Sequence, residues 1–215
     1  MPKIKVKICG ITNWTDAQRA VNAGATLLGF NFYAKSPRYI APAKARRIVR
    51  RLPKHVFAVG VFVNETYEKM LGIARSVGLD RLQLHGEEAP ASIARLTRQL
   101  PVIKAVRASH SFRPADLAKF KGASAILLDG FDRRRRGGTG KTFDWRLARR
   151  AKRYARIFLA GGLTPENVGD AIRTAAPYAV DVCSGVEAAL GKKDPERIEA
   201  LMRAVDRAEK RKGRR

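Results

Sequence analysis

Two residues close apolar runs and are of types that move protons. Cys9 ends the run 4–9 and stands before Gly10; Asp129 ends the run 125–129, directly after Ile126-Leu127-Leu128. A carboxylate closing an apolar strand is costly unless it is paired or at work. A cysteine is a useful base as its thiolate, which nearby positive charge favours. Strand alternation places Lys5, Lys7 and Cys9 on one face, so Lys7 is the expected source of that charge. A thiolate and a carboxylic acid on opposite sides of a cavity can serve as base and acid on the two sides of one substrate.

A second group of residues suits an anion. Gly161-Gly162 and Ser184-Gly185 each follow an apolar run. Small residues expose backbone N–H groups, and glycine lets the chain close on a phosphate. The stretch Gly137-Gly138-Thr139-Gly140-Lys141-Thr142 looks like a nucleotide loop but fails the G-x-x-x-x-G-K-[ST] pattern, because position 135 is Arg135. His85 and Asp181 also stand at the ends of apolar runs, and the second run leads on to Ser36-Pro37-Arg38. For His85, packing or a structural hydrogen bond explains the position as well as direct function does. The histidines (His55, His85, His110) and cysteines (Cys9, Cys183) show no metal-ligand spacing, so no metal is expected.

The elements that must position these residues alternate in texture. Apolar, β-branched runs at 4–9, 26–32, 56–63, 81–85, 102–106, 125–129, 156–160 and 179–182 predict buried strands. Helical patterns at 15–22, 42–52, 66–77, 90–99, 114–120, 144–154, 165–175 and 195–210 separate them. The units recur about every 25 residues, enough for a strand, a crossover helix and two short loops. Eight such units with right-handed crossovers predict an α/β fold, a single-domain (β/α)8 TIM barrel. An open doubly wound sheet is the alternative, but G-x-G-x-x-G is missing after the first strand. Residues 1–208 are expected to form the barrel and 209–215 a basic C-terminal tail. In such a barrel the chemistry sits at the C-terminal strand ends. The first and eighth strands are neighbours, so Cys9 and Cys183 are expected within disulfide reach.

The chain of 215 residues carries 44 Lys+Arg against 19 Asp+Glu, a net charge of +25. That balance first suggests nucleic acid, an anionic membrane or an anionic small substrate. Much of the charge is interleaved with apolar residues at helical spacing, as in Lys44, Arg46, Arg47, Arg50 and Arg51, which marks solvated helix faces. Arg133, Arg134, Arg135 and Arg136 form a separate run. No aromatic interleaving or RNA-binding signature accompanies the charge, so nucleic acid is not required. No run reaches the ~18 apolar residues of a membrane span and the N-terminus has no apolar signal region, so a cytoplasmic protein is expected.

Several segments, in order, carry a family resemblance: Lys7-Ile8-Cys9-Gly10-Ile11-Thr12, Ser36-Pro37-Arg38-Tyr39-Ile40, Gln83-Leu84-His85-Gly86, Leu127-Leu128-Asp129, Ala160-Gly161-Gly162-Leu163-Thr164-Pro165 and Asp181-Val182-Cys183-Ser184-Gly185-Val186-Glu187. Together they resemble the phosphoribosylanthranilate isomerases of tryptophan biosynthesis. The resemblance implies a cofactor-free barrel enzyme for an Amadori rearrangement of a small phosphorylated substrate, as a monomer or homodimer. It implies Asp129 as general acid, Cys9 as general base and Arg38 near the anthranilate carboxylate. Gly161, Gly162, Ser184 and Gly185 then hold phosphate, and His85 and Asp181 complete the substrate-binding set. The chain departs from the family pattern in its arginine run, its basic tail and Cys183, where serine is expected. Other phosphate-binding barrels of the same pathway rely on lysine and glutamate or paired carboxylates, which the Cys9/Asp129 pair argues against.

Overall fold

The computed structural model describes residues 4–109, 111–130 and 144–212. The arginines 133–136, the glycine-rich stretch 137–142, His110 and the last three residues of the basic tail lie outside the described residues. Eight parallel strands form a closed barrel in sequence order: β1 (Lys5–Cys9), β2 (Leu27–Asn31), β3 (Phe57–Phe62), β4 (Arg81–Leu84), β5 (Val102–Arg107), β6 (Ala125–Asp129), β7 (Ile157–Ala160) and β8 (Ala179–Val182). β1 closes the ring against β8 with Lys7 opposite Asp181 and Ile8 opposite Val182. Cys9 and Cys183 are the next residues beyond the last paired positions.

Alternation divides the side chains into two cores. Inward residues such as Leu27, Val59, Ile103, Leu127 and Phe158 fill the barrel. Outward residues such as Ile8, Leu28, Leu82, Leu128 and Val180 meet the helices in a larger outer core. The helices are α1 (Trp14–Asn22), α2 (Pro42–Val49), α3 (Tyr67–Val77), α4 (Pro90–Thr97), α5 (Trp145–Ala151), α6 (Val168–Ala175) and α7 (Pro195–Lys212). Each buries an apolar stripe and turns its basic side outward. In α2 the buried residues are Ala45 and Ile48, while Arg46 and Arg47 are exposed. Asn13 caps α1 by accepting the Asp16 N–H, and Thr66 caps α3 through the Lys69 N–H.

Three details differ from the sequence expectation. The fifth connection is a 3₁₀ helix, Pro114–Phe120, not an α-helix. It buries only Leu117 and has too small an apolar face to stabilise a longer helix. α6 begins at Val168 rather than at Pro165, because Asn167 pins the preceding turn. Its Oδ1 accepts from Thr164 N and its Nδ2 donates to Gly162 O, both at 2.9 Å. After β8, a short 3₁₀ turn (Ser184–Val186) leads into an unforeseen hairpin, β9 (Glu187–Ala189) with β10 (Lys192–Lys193). α7 continues past residue 208, and the Glu209 carboxylate accepts the Ile4 N–H at the start of β1.

Candidate active site

The barrel mouth collects the polar strand ends. Cys9, the last residue of β1, lies beside Cys183 and above Lys7. Lys7 is fully buried, and its Nζ pairs with Asp181 Oδ1 at 2.7 Å. Gly29 on β2 makes room for this group. A Cβ there would stand 2.7 Å from Cys9 Sγ and 3.0 Å from Lys7 Nζ.

The electrostatics favour a Cys9 thiolate. A hydrogen bond from Cys183 lowers the Cys9 pKa most; burial opposes it, and the charges of Lys7 and Lys193 add to the lowering. The net result lies well below the ordinary thiol value. Cys183 is pushed far up by the same hydrogen bond and by burial, so it keeps its proton and donates. The sequence pointed to Lys7 as the activating group; Lys7 contributes, but Cys183 leads. Burial disfavours charge on Lys7, yet Asp181 and Cys9 together hold its pKa above the usual lysine value. Burial pushes Asp181 up to about 6, against the pull of Lys7.

Across the mouth, Asp129 ends β6, which is three strands from β1 by way of β8 and β7. Its Oδ2 is 3.5 Å from His85 Nε2, and Gln83 Nε2 lies 3.3 Å from His85 Nδ1. His85 therefore stands over the carboxylate at the mouth rather than in the packed core. Arg38 follows β2 and reaches back across Gly10, where a Cβ would come within 2.7 Å of its Cδ. Its Nε and Nη2 bind the two Glu187 oxygens at 2.8 and 2.6 Å. Lys193 Nζ, also buried, bonds Glu187 Oε1 at 2.9 Å and Cys183 O at 3.2 Å. Burial alone would raise the Glu187 pKa; Arg38 and Lys193 more than offset it, so the carboxylate stays ionised.

The two glycine loops meet at the ends of β7 and β8, between β6 and β1. Gly161 and Gly162 have φ of +87° and +68°, a backbone that side-chain-bearing residues rarely adopt. A Cβ on Gly185 would collide with the Leu163 carbonyl, so the loops after β7 and β8 touch. Ser184 is exposed beside them. Asp181 is buried at the end of β8, with one oxygen on Lys7. Glu187 was visible only as part of a motif, and Lys193 carried no signal of its role. Among the described residues, no cluster of three or more His, Cys, Asp or Glu is placed to hold a metal ion.

The model of the N-(5'-phosphoribosyl)anthranilate (PRA) isomerase family matches residues 6–204. The chain belongs to this family. An N-(5'-phosphoribosyl)anthranilate isomerase of Citrifermentans bemidjiense is 52% identical over 198 residues, 92% of this chain and 95% of its own length. The crystal structure of phosphoribosyl anthranilate isomerase from Thermotoga maritima matches with a TM-score of 0.86 and 46% identity, covering 94% of this chain and 98% of that one. A further phosphoribosyl anthranilate isomerase structure, in complex with reduced 1-(o-carboxyphenylamino)-1-deoxyribulose 5-phosphate, matches with a TM-score of 0.83 and 44% identity. It covers 94% of this chain and 98% of its own. The family's barrel and the site-bearing strand ends thus span the same part of this chain.

Proposed function

We propose that the chain converts N-(5'-phosphoribosyl)anthranilate to 1-(o-carboxyphenylamino)-1-deoxyribulose 5-phosphate, with Asp129 as acid and Cys9 as base. The observation that carries this reading is the placement of Cys9 at the end of β1, beside the buried Lys7–Asp181 pair, and of Asp129 at the end of β6 across the same mouth. Asp129 delivers its proton to the furanose ring oxygen, and the C1'–O bond breaks as the anthranilate nitrogen lone pair forms a C=N bond. Cys9 then removes the C2' proton, and that electron pair neutralises the iminium to give an enolamine. Tautomerisation of the enol places the carbonyl at C2'.

The surrounding residues make each step cheaper. Cys183 and Lys7 stabilise the thiolate, and Asp181 holds Lys7 beneath it. His85 orients the acid. Backbone N–H groups of Gly161, Gly162, Ser184 and Gly185 cradle the phosphate. Glu187 occupies the Nε edge of Arg38 and leaves Nη1 for the anthranilate carboxylate. Acid and base come from one chain, so monomer and homodimer are both competent. No described helix is long and apolar enough to cross a membrane, and we assign the chain to the cytoplasm. The test follows loss of anthranilate fluorescence from freshly made substrate. Cys9→Ala and Asp129→Asn should each lose about 10²–10⁴ in kcat. A fully active Asp129→Asn overturns the assignment.

A further inference from the structure

The end of the barrel opposite the catalytic mouth carries a cavity of its own. It is small, about 30 Å³, and lies among the first residues of the strands. Leu27, Ile103, Ala125 and Phe158 form its apolar wall. Lys5 at the start of β1, Arg81 at the start of β4 and Arg156 just before β7 line it as well. These three strands are spread around the ring, so their cations approach the axis from different sides.

No ion pair engages any of the three among the described residues. Their compensation comes from ring faces. Lys5 Nζ lies 5.4 Å from the Phe57 ring centre and 5.5 Å from that of Tyr178. Arg81 lies 4.7 Å from Phe57, and Arg156 lies 5.6 Å from Tyr178. A ring face attracts a cation but cannot satisfy every N–H of a guanidinium. Arg81 Nε is buried and has no hydrogen-bond partner. A buried donor without an acceptor is costly, and like charges around a low-dielectric wall repel. One anion answers both needs.

We propose that this end of the barrel is an anion site, in which Lys5, Arg81 and Arg156 bind one inorganic oxyanion of phosphate or sulfate size. The Ser124 side of the cavity supplies a polar rim. A cavity this small excludes a phosphorylated sugar, so the site is not a second copy of the catalytic one. A bound anion would tie three strand starts together where no active-site residue lies.

Selenate is the probe, since its anomalous scattering locates it. Crystals of the wild-type protein soaked in selenate should show a peak between Lys5 and Arg81, and Arg81→Gln should lose it. A peak at the glycine loops tests the phosphate assignment separately, so either reading can fail alone. In solution, selenate at ionic strength matched with chloride should raise Tm more in wild type than in Arg81→Gln. At a hundredfold excess over Kd the difference should be about 5–10 °C. The activity of Arg81→Gln should equal that of wild type. If Arg81→Gln does not fold, Arg156→Gln at the exposed rim replaces it and should weaken the response. A map with no peak in this cavity, or equal Tm responses in wild type and variant, overturns the proposal.

Discussion

Cys183→Ala isolates the hydrogen bond that favours the thiolate of Cys9, the proposed base. In the wild type, the Cys183 thiol keeps its proton and donates to Cys9, while the Lys7 and Lys193 ammonium groups act through charge. The alanine variant removes the donor and leaves both ammonium groups in place. Hydrogen bonds to charged groups contribute about 1.5–3 kcal/mol, and a thiol is a weak donor, so the low end of that range applies. One pKa unit corresponds to about 1.4 kcal/mol. The Cys9 pKa should therefore rise by about one unit. The sign is fixed by which protonation state loses its partner: the thiolate does, so the proton binds more tightly. Two assays read it. The pH dependence of iodoacetamide alkylation at Cys9, followed by mass spectrometry, should shift to higher pH by about one unit. The acid limb of kcat/KM should move with it, a loss of roughly tenfold at any pH below that limb. Cys183→Ser retains a donor and should restore most of the shift. If the alkylation profiles of wild type and Cys183→Ala coincide, the thiol pair does not favour the thiolate and the two ammonium groups act without it.

Three further outcomes follow from the same geometry. Glu187→Gln weakens the clamp on Arg38 and should raise KM about tenfold with kcat little changed, a split that steady-state kinetics resolves. Lys7→Met strands Asp181 in the barrel and should cost about 3–5 kcal/mol at pH 8. Because the stranded carboxyl has a raised folded pKa, the folded state binds the extra proton first, so the Tm deficit should shrink as pH falls toward 5. Peroxide should convert the Cys9 thiolate to a sulfenic acid, which the Cys183 thiol then displaces to give a disulfide and water. Adjacent strands lie about 4.8 Å apart, within bridging reach. Activity should fall and return with dithiothreitol, and a native mass that never loses two hydrogens refutes the bridge.

The barrel was legible because its strands are buried on both faces and recur at one period. The runs at 125–129 and 179–182 coincide with β6 and β8. The positions proposed for acid and base stand out for the same reason: Cys9 and Asp129 interrupt apolar patterns at their ends. The buried ion pairs were not. Lys7 and Asp181 are 174 residues apart, and Arg38 and Glu187 are 149 apart. No local pattern announces which charge meets which, and only ring closure brings them together. Lys193 was hidden further by its setting, a lysine in a charged stretch that a two-strand hairpin folds inward. The helix-spaced arginines do coat outer faces, as with Arg46 and Arg47 on α2. Lys5, Arg81 and Arg156 depart from that pattern, because they begin strands or directly precede one and so meet at the barrel's floor.

The seam between β1 and β8 has a consequence for how the protein is made. A ribosome releases Cys9 early, while Asp181, Cys183 and Lys193 emerge near the end of translation. Until they dock, Cys9 lacks the Cys183 donor and the Lys193 charge, and Asp181 is not there to hold Lys7 beneath it. The step that joins the first strand to the last also brings the Cys183 donor and the Lys193 charge to the proposed base. Labelling of Cys9 at neutral pH thus times ring closure, and a truncated chain that stops before β8 should label at a different pH midpoint from the full chain.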